Sequence, residues 1–113
     1  MAGQYVRLMD AGTITQGPQS QDAVDLGAYR QVVFHLRLLK AGSGTAGAQL
    51  VVQHAAIDEE GAYIDIPGIS WVVDSNGTGG VLDTTTFMRF VRVAGVGTFA
   101  GDPVALLDLV AKE

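Results

Sequence analysis

The chain has 113 residues, 48% of them hydrophobic and 17% charged, with fifteen glycines and no cysteine. One folded domain is expected, and disulfides, thiolate nucleophiles and cysteine-ligated metals are excluded. Twelve acids against seven bases give a formal charge of −5, and the bases Arg7, Arg30, Arg37, Lys40, Arg89, Arg92 and Lys112 never form a run, so no nucleic-acid surface is expected.

Tyr5 to Met9 alternates weakly and reads as an edge strand. With the short β-like piece Thr13–Thr15 and the polar loop around Gly17-Pro18, residues 1–21 form a candidate edge strand or arm ahead of the main body. The opening residues lack a basic stretch followed by an apolar core, and no apolar span of about 18 residues occurs, so neither a signal peptide nor a membrane helix is expected. Ala23 to Leu26 is a short strand stopped by Gly27.

Tyr29 to Lys40 is the longest run of strand-forming residues. Val32, Phe34, Leu36 and Leu38 share one face, which is wholly apolar; the other mixes Val33 and Leu39 with Gln31, His35 and Arg37. The small, glycine-rich stretch Ala41–Ala48 reads as a hairpin loop leading to a strand at Leu50–Ile57. Asp58–Gly61 is a charged turn. Ala62–Ile66 and Ile69–Val73 alternate on either side of Pro67-Gly68, which reads as a bulge or turn. Asp74–Gly80 is a second glycine-rich loop, Thr84–Ala94 a strand, and Gly95–Pro103 a connection with room for a short strand at Val96–Phe99. The period of Val104–Ala111 fits a strand or a short helix, and a strand is favoured because it completes a sheet. No i, i+3, i+4, i+7 apolar stripe is sustained. The expected fold is all-β: one domain over 1–113, an antiparallel two-sheet sandwich or jelly roll of about seven to eight strands.

Chemistry is sparse. Gly42-Ser-Gly44-Thr-Ala-Gly47 spells a dinucleotide-binding fingerprint, but the next run is strand-like, and the fingerprint needs a helix N-terminus to receive the pyrophosphate. His35 and His54 fall on opposite faces if the two strands form one hairpin, and two ligands without a convergent third make no metal site. The carboxylates Asp58, Glu59, Glu60, Asp65, Asp74 and Asp83 fall at loops or strand ends and read as solvated turn acids. There is no Gly-x-Ser-x-Gly elbow. No enzyme activity, cofactor or metal is expected. Arg89 and Arg92 have opposite parity, so one should lean inward or towards a partner, with Asp108 or Asp25 as its carboxylate. Tyr63 and Trp71 are candidate ring platforms for a carbohydrate-binding or adhesion module, against the commoner role of core packing.

Three strands carry apolar residues on both faces, and one sandwich has one interior. A homo-oligomer, or docking onto a larger assembly, is therefore expected. The mixed face carrying Val33, His35, Arg37 and Leu39 is the candidate interface. The segments Val24–Tyr29, Val32–Leu38, Leu50–Gln53 and Phe87–Val93 resemble, in strand order and texture, the small β-sandwich structural proteins of tailed bacteriophages and phage-derived particles, such as capsid decoration, head spike and tail accessory proteins. That resemblance implies a virion protein made in the host cytoplasm. It implies oligomers, often trimers, that bind a capsid or tail lattice, without nucleic-acid or membrane contacts.

Overall fold

The computed structural model describes residues 3–19 and 23–113; the ends of the candidate arm, 1–2 and 20–21, lie outside them. Nine strands are present among the described residues: β1 (Gly3–Thr13), β2 (Gly17–Pro18), β3 (Val24–Asp25), β4 (Gln31–Lys40), β5 (Gln49–Ala55), β6 (Ile64–Val72), β7 (Gly80–Thr84), β8 (Phe90–Val96) and β9 (Val104–Lys112). The only helical piece among them is a 3-10 turn, Glu60–Ala62. One sheet has the order β1-β9-β4-β7; the other has the order β2-β8-β5-β6, with β3 also on β8. All the pairings are antiparallel. The expected all-β, two-sheet sandwich is what the chain forms.

The strands form where side chains alternate between a dry and a wet face. On β4, Val32, Phe34 and Leu36 are buried while His35, Arg37 and Leu39 are exposed. Their neighbours continue the pattern: Ala105, Leu107, Leu109 and Ala111 of β9 face inward beside them. The second sheet contributes Leu50, Val52, Ile66, Ile69, Trp71, Val91 and Val93 to the same core.

Three expectations about the strands need correction. Ala41–Ala48 is not a hairpin loop, because β4 and β5 belong to different sheets. Gly42 N–H donates to the Val73 carbonyl and Ser43 N–H to the Ala100 carbonyl (both 2.9 Å), which fixes the segment as a sheet-to-sheet crossover. The strand expected over Thr84–Ala94 is two strands: Thr84 ends β7 on one sheet and Phe90 begins β8 on the other. Val96 closes β8, and no separate strand follows before Pro103. Pro67-Gly68, by contrast, lies inside the continuous β6, where the register with β5 shifts between Val51 and Gln53, as a bulge requires.

The four sheet edges are each guarded. β1 carries two register shifts, and Ala11 is at φ 55°. β6 carries the Pro67 bulge, β7 is five residues long, and β2 and β3 are two residues each. Bulges, proline and short strands are how soluble sheets discourage edge-to-edge pairing.

Candidate assembly face

The outer face of the β1-β9-β4-β7 sheet holds a polar cluster inside an apolar frame. Register sets its rows: Tyr5, Val110, Val33 and Asp83 lie side by side, then Arg7, Asp108, His35 and Val81, then Leu106 and Arg37. Asp108 sits at the centre with its side chain only 14% exposed. The Tyr5 hydroxyl and Arg7 Nε both donate to its Oδ1 at 2.8 Å, and Arg7 also reaches Oδ2 at 3.3 Å. Arg37 stands 3.7 Å from Oδ2, and Arg7 extends its other nitrogen to Asp10 at 3.3 Å. The Arg7 hydrogen bond is the main reason the Asp108 carboxyl is held below its ordinary range; Tyr5 and the charge of Arg37 add to it, against partial burial. Around this neutralised centre stand exposed apolar groups: Tyr5 at 59%, Val81 at 61%, and Val110.

Of the four residues expected at an interface, Val33, His35 and Arg37 lie on this face, His35 beside Asp108 and Val33 beside Val110. Leu39 is 54% exposed and sits where the register shifts between Leu38 and Lys40, at the rim of the sheet. Sequence reasoning missed Tyr5, Arg7, Val81 and Asp108 as members. Asp108 stood out as the one charge in an apolar run, but its partners are about a hundred residues away along the chain, and no local signal names them.

The other expected contacts rearrange. Asp25 pairs with Arg89 through two hydrogen bonds of 3.0 and 2.8 Å, and Asp108 pairs with neither Arg89 nor Arg92. Arg92 lies on the outer face of the second sheet, not in the core. It donates to Gln53 at 2.9 Å and to Glu60 at 2.8 Å, and stacks 4.0 Å from the Tyr63 ring centre. Of the two candidate ring platforms, Trp71 is therefore in the core at 6% exposure, its indole N–H donating to the Gly80 carbonyl at 3.2 Å. Tyr63 has the Arg92 guanidinium on its ring, and its hydroxyl donates to Asp58 at 2.7 Å. The two rings form no common surface: Trp71 faces the sandwich interior and Tyr63 its exterior. The two histidines also part company. His35 is exposed on one sheet, and His54 is buried in the other, accepting the Met88 N–H on Nδ1 at 3.1 Å. Among the described residues no group of three or more His, Asp or Glu could hold a metal ion. The Gly42–Gly47 fingerprint leads into β5, with no helix after it.

These environments set an acid limit on stability. Burial pushes His54 below its ordinary 6.5. Arg89, aided by the Gly27 N–H, holds Asp25 down at about 2, and Arg92 lowers Glu60. Each group binds its proton less readily folded than unfolded, so its contribution is complete above the unfolded value and is lost as pH falls. Urea midpoints should decline below pH 6.5 as His54 is charged, with only a small further decline below the ordinary carboxylate values of 3.8 and 4.5, since Asp25 and Glu60 are exposed and solvent screens their pairs. A His54→Gln variant should flatten the upper step and keep the lower one; an unchanged upper step would assign it elsewhere.

The chain shares its fold with a prophage protein. The SPBc2 prophage-derived protein YomS superposes with a TM-score of 0.55 over 98% of this chain and 94% of that one, at 14% identity. A chain from the disulfide-linked pili of Bacillus endospore appendages superposes at a TM-score of 0.48, again at 14% identity, over 98% of this chain and 86% of that one. No family model and no curated protein matches the sequence.

Proposed function

We propose that the protein is a non-catalytic structural subunit of a phage-like particle. On this reading it joins copies of itself through the outer face of the β1-β9-β4-β7 sheet and so builds onto a capsid or tail lattice. The observation that carries the reading is the exposed set Tyr5, Val81 and Val110 framing the Arg7–Asp108–Arg37 cluster. Aromatic and arginine side chains beside exposed valines, with the central carboxylate already neutralised, are the composition of an interface core. Burying such side chains contributes up to about 1.5–3 kcal/mol each. The guarded sheet edges support a face as the contact, and the shared fold with a prophage-derived protein supports the particle as the setting.

Sedimentation velocity tests it. At about 10–100 µM, where interfaces of ordinary affinity are occupied, the wild-type chain should sediment as a discrete oligomer. The double variant Val81→Asp, Val110→Asp should sediment as a monomer that stays folded, with the far-UV circular dichroism of the wild type and a melting temperature that no longer rises with protein concentration. A wild-type monomer across that range, or a variant that still associates, would overturn the assignment of this face.

A further inference from the structure

A second site lies away from the assembly face, on the side of the sandwich where the edge strands β1 and β3 of the two sheets come together. An open cleft of about 580 Å³ is lined by Gln4, Asp25, Gly27, Ala28, Tyr29 and Arg89. It adjoins a smaller hollow of about 260 Å³ that shares Gly27, Tyr29 and Arg89 and adds an apolar wall including Leu26 and Phe87. We propose that this cleft binds a neutral saccharide.

The argument rests on the Asp25–Arg89 pair. Guanidinium carries five N–H donors, and Asp25 takes two of them, at 3.0 and 2.8 Å. The remaining donors and the spare lone pairs of the carboxylate stay available at the cleft. A carboxylate locked against a guanidinium repels a free anion with one half and a free cation with the other. A vicinal diol suits both, since one hydroxyl donates to the carboxylate while its neighbour accepts from the guanidinium. Across the cleft, the Gln4 side-chain amide makes no hydrogen bond to a described residue and can both donate and accept. Tyr29 and Phe87, both partly exposed and seated on the buried Leu26 side of the core, supply apolar surface for the C–H face of a sugar ring. The pair is also pre-set. Gly27 N–H donates to Asp25 Oδ1 at 3.0 Å, and a Cβ at Gly27 would stand 3.2 Å from that oxygen and 3.3 Å from Arg89 Cγ. Glycine there lets the two side chains lie against the backbone.

Amide NMR titration of the intact protein with methyl glucoside, methyl galactoside and N-acetylglucosamine tests the proposal, with inorganic phosphate as the anionic control. The amides of Gly27, Ala28 and Arg89 should shift together and saturate with at least one sugar, with a Kd of about 1–10 mM, as suits a shallow site. Phosphate should leave them unmoved. Arg89→Met should weaken sugar binding by about tenfold or more while the rest of the spectrum shows an intact fold, since the pair is exposed and contributes little to stability. The proposal fails if no sugar gives a saturable shift at about 50 mM, more than four times the weakest Kd expected. It also fails if phosphate moves the same amides, if the shifts centre on Tyr63, or if Arg89→Met binds as before. The titration reads the cleft whatever the oligomeric state, so its failure leaves the assembly reading untouched, and the reverse holds too.

Discussion

Replacing Phe34 with alanine should destabilise the fold by about 3–5 kcal/mol, the range for emptying a buried phenylalanine site. Phe34 is the largest of the fully buried side chains, and it sits on β4 between Leu109 of β9 and Leu82 of β7. Its ring lies wholly within the core, and neighbours held by two hydrogen-bonded strands cannot readily collapse into the space it leaves. Against a total stability of about 5–15 kcal/mol, that loss leaves the variant marginal at 37 °C. The adjacent Val33 points to the other face, and Val33→Ala should cost less than about 1 kcal/mol in the isolated chain. Urea denaturation of both variants measures the difference. Equal costs would show that the two faces of β4 had been assigned the wrong way round.

Asp74→Ala should cost about 2 kcal/mol, although the residue lies in what reads as an ordinary polar turn. Its side chain is buried, and its oxygens accept the Gly47 N–H at 2.8 Å and the Asn76 N–H at 2.9 Å. Ser75 adds its hydroxyl to the Gly44 carbonyl. The two glycine-rich loops are thereby stitched to each other, and the stitch closes one end of the sandwich. Alanine leaves both N–H groups without their acceptor. Asp74→Asn keeps one carbonyl oxygen and should recover part of the loss, visible as a melting temperature between those of the wild type and Asp74→Ala. Hydrogen exchange at Gly47 and Asn76 should quicken in the alanine variant. Unchanged exchange there would mean that the carboxylate does not hold the loops.

The two proposed sites divide the work between different parts of the molecule. The assembly face uses a carboxylate neutralised by Tyr5, Arg7 and Arg37 inside an apolar frame. The cleft uses a carboxylate–guanidinium pair, with the guanidinium 5.0 Å from the Phe90 ring centre and its remaining donors making no hydrogen bond to another described residue. A subunit packed through the first surface would keep the second open to solvent, because β1 meets the face with Tyr5 and Arg7 and the cleft with Gln4, and successive strand residues point to opposite sides.

What the sequence determined by itself is the local part of the fold. Alternation over Val32–Leu36 names the core face of β4, and Pro67-Gly68 marks a bulge or turn, which lies within β6, because side-chain period and proline chemistry act over a few residues; Val104–Ala111, whose period fits a strand or a short helix, is the strand β9 through its pairing with β1 and β4. Only the tertiary structure decided which strands are neighbours. A glycine-rich turn says where the chain leaves a strand, not which sheet it enters next. Ala41–Ala48 thus carries the signals of a hairpin and is a crossover, and the span Thr84–Ala94 hides a change of sheet. The candidate face was half legible for the same reason. Val33, His35 and Arg37 follow from one strand's alternation, whereas Tyr5, Arg7, Val81 and Asp108 join them only because β1, β9 and β7 pair across most of the chain's length. Trp71, weighed as a ring platform against the commoner role of core packing, takes the core role: the same inward alternation that buries Ile69 and Val73 buries it.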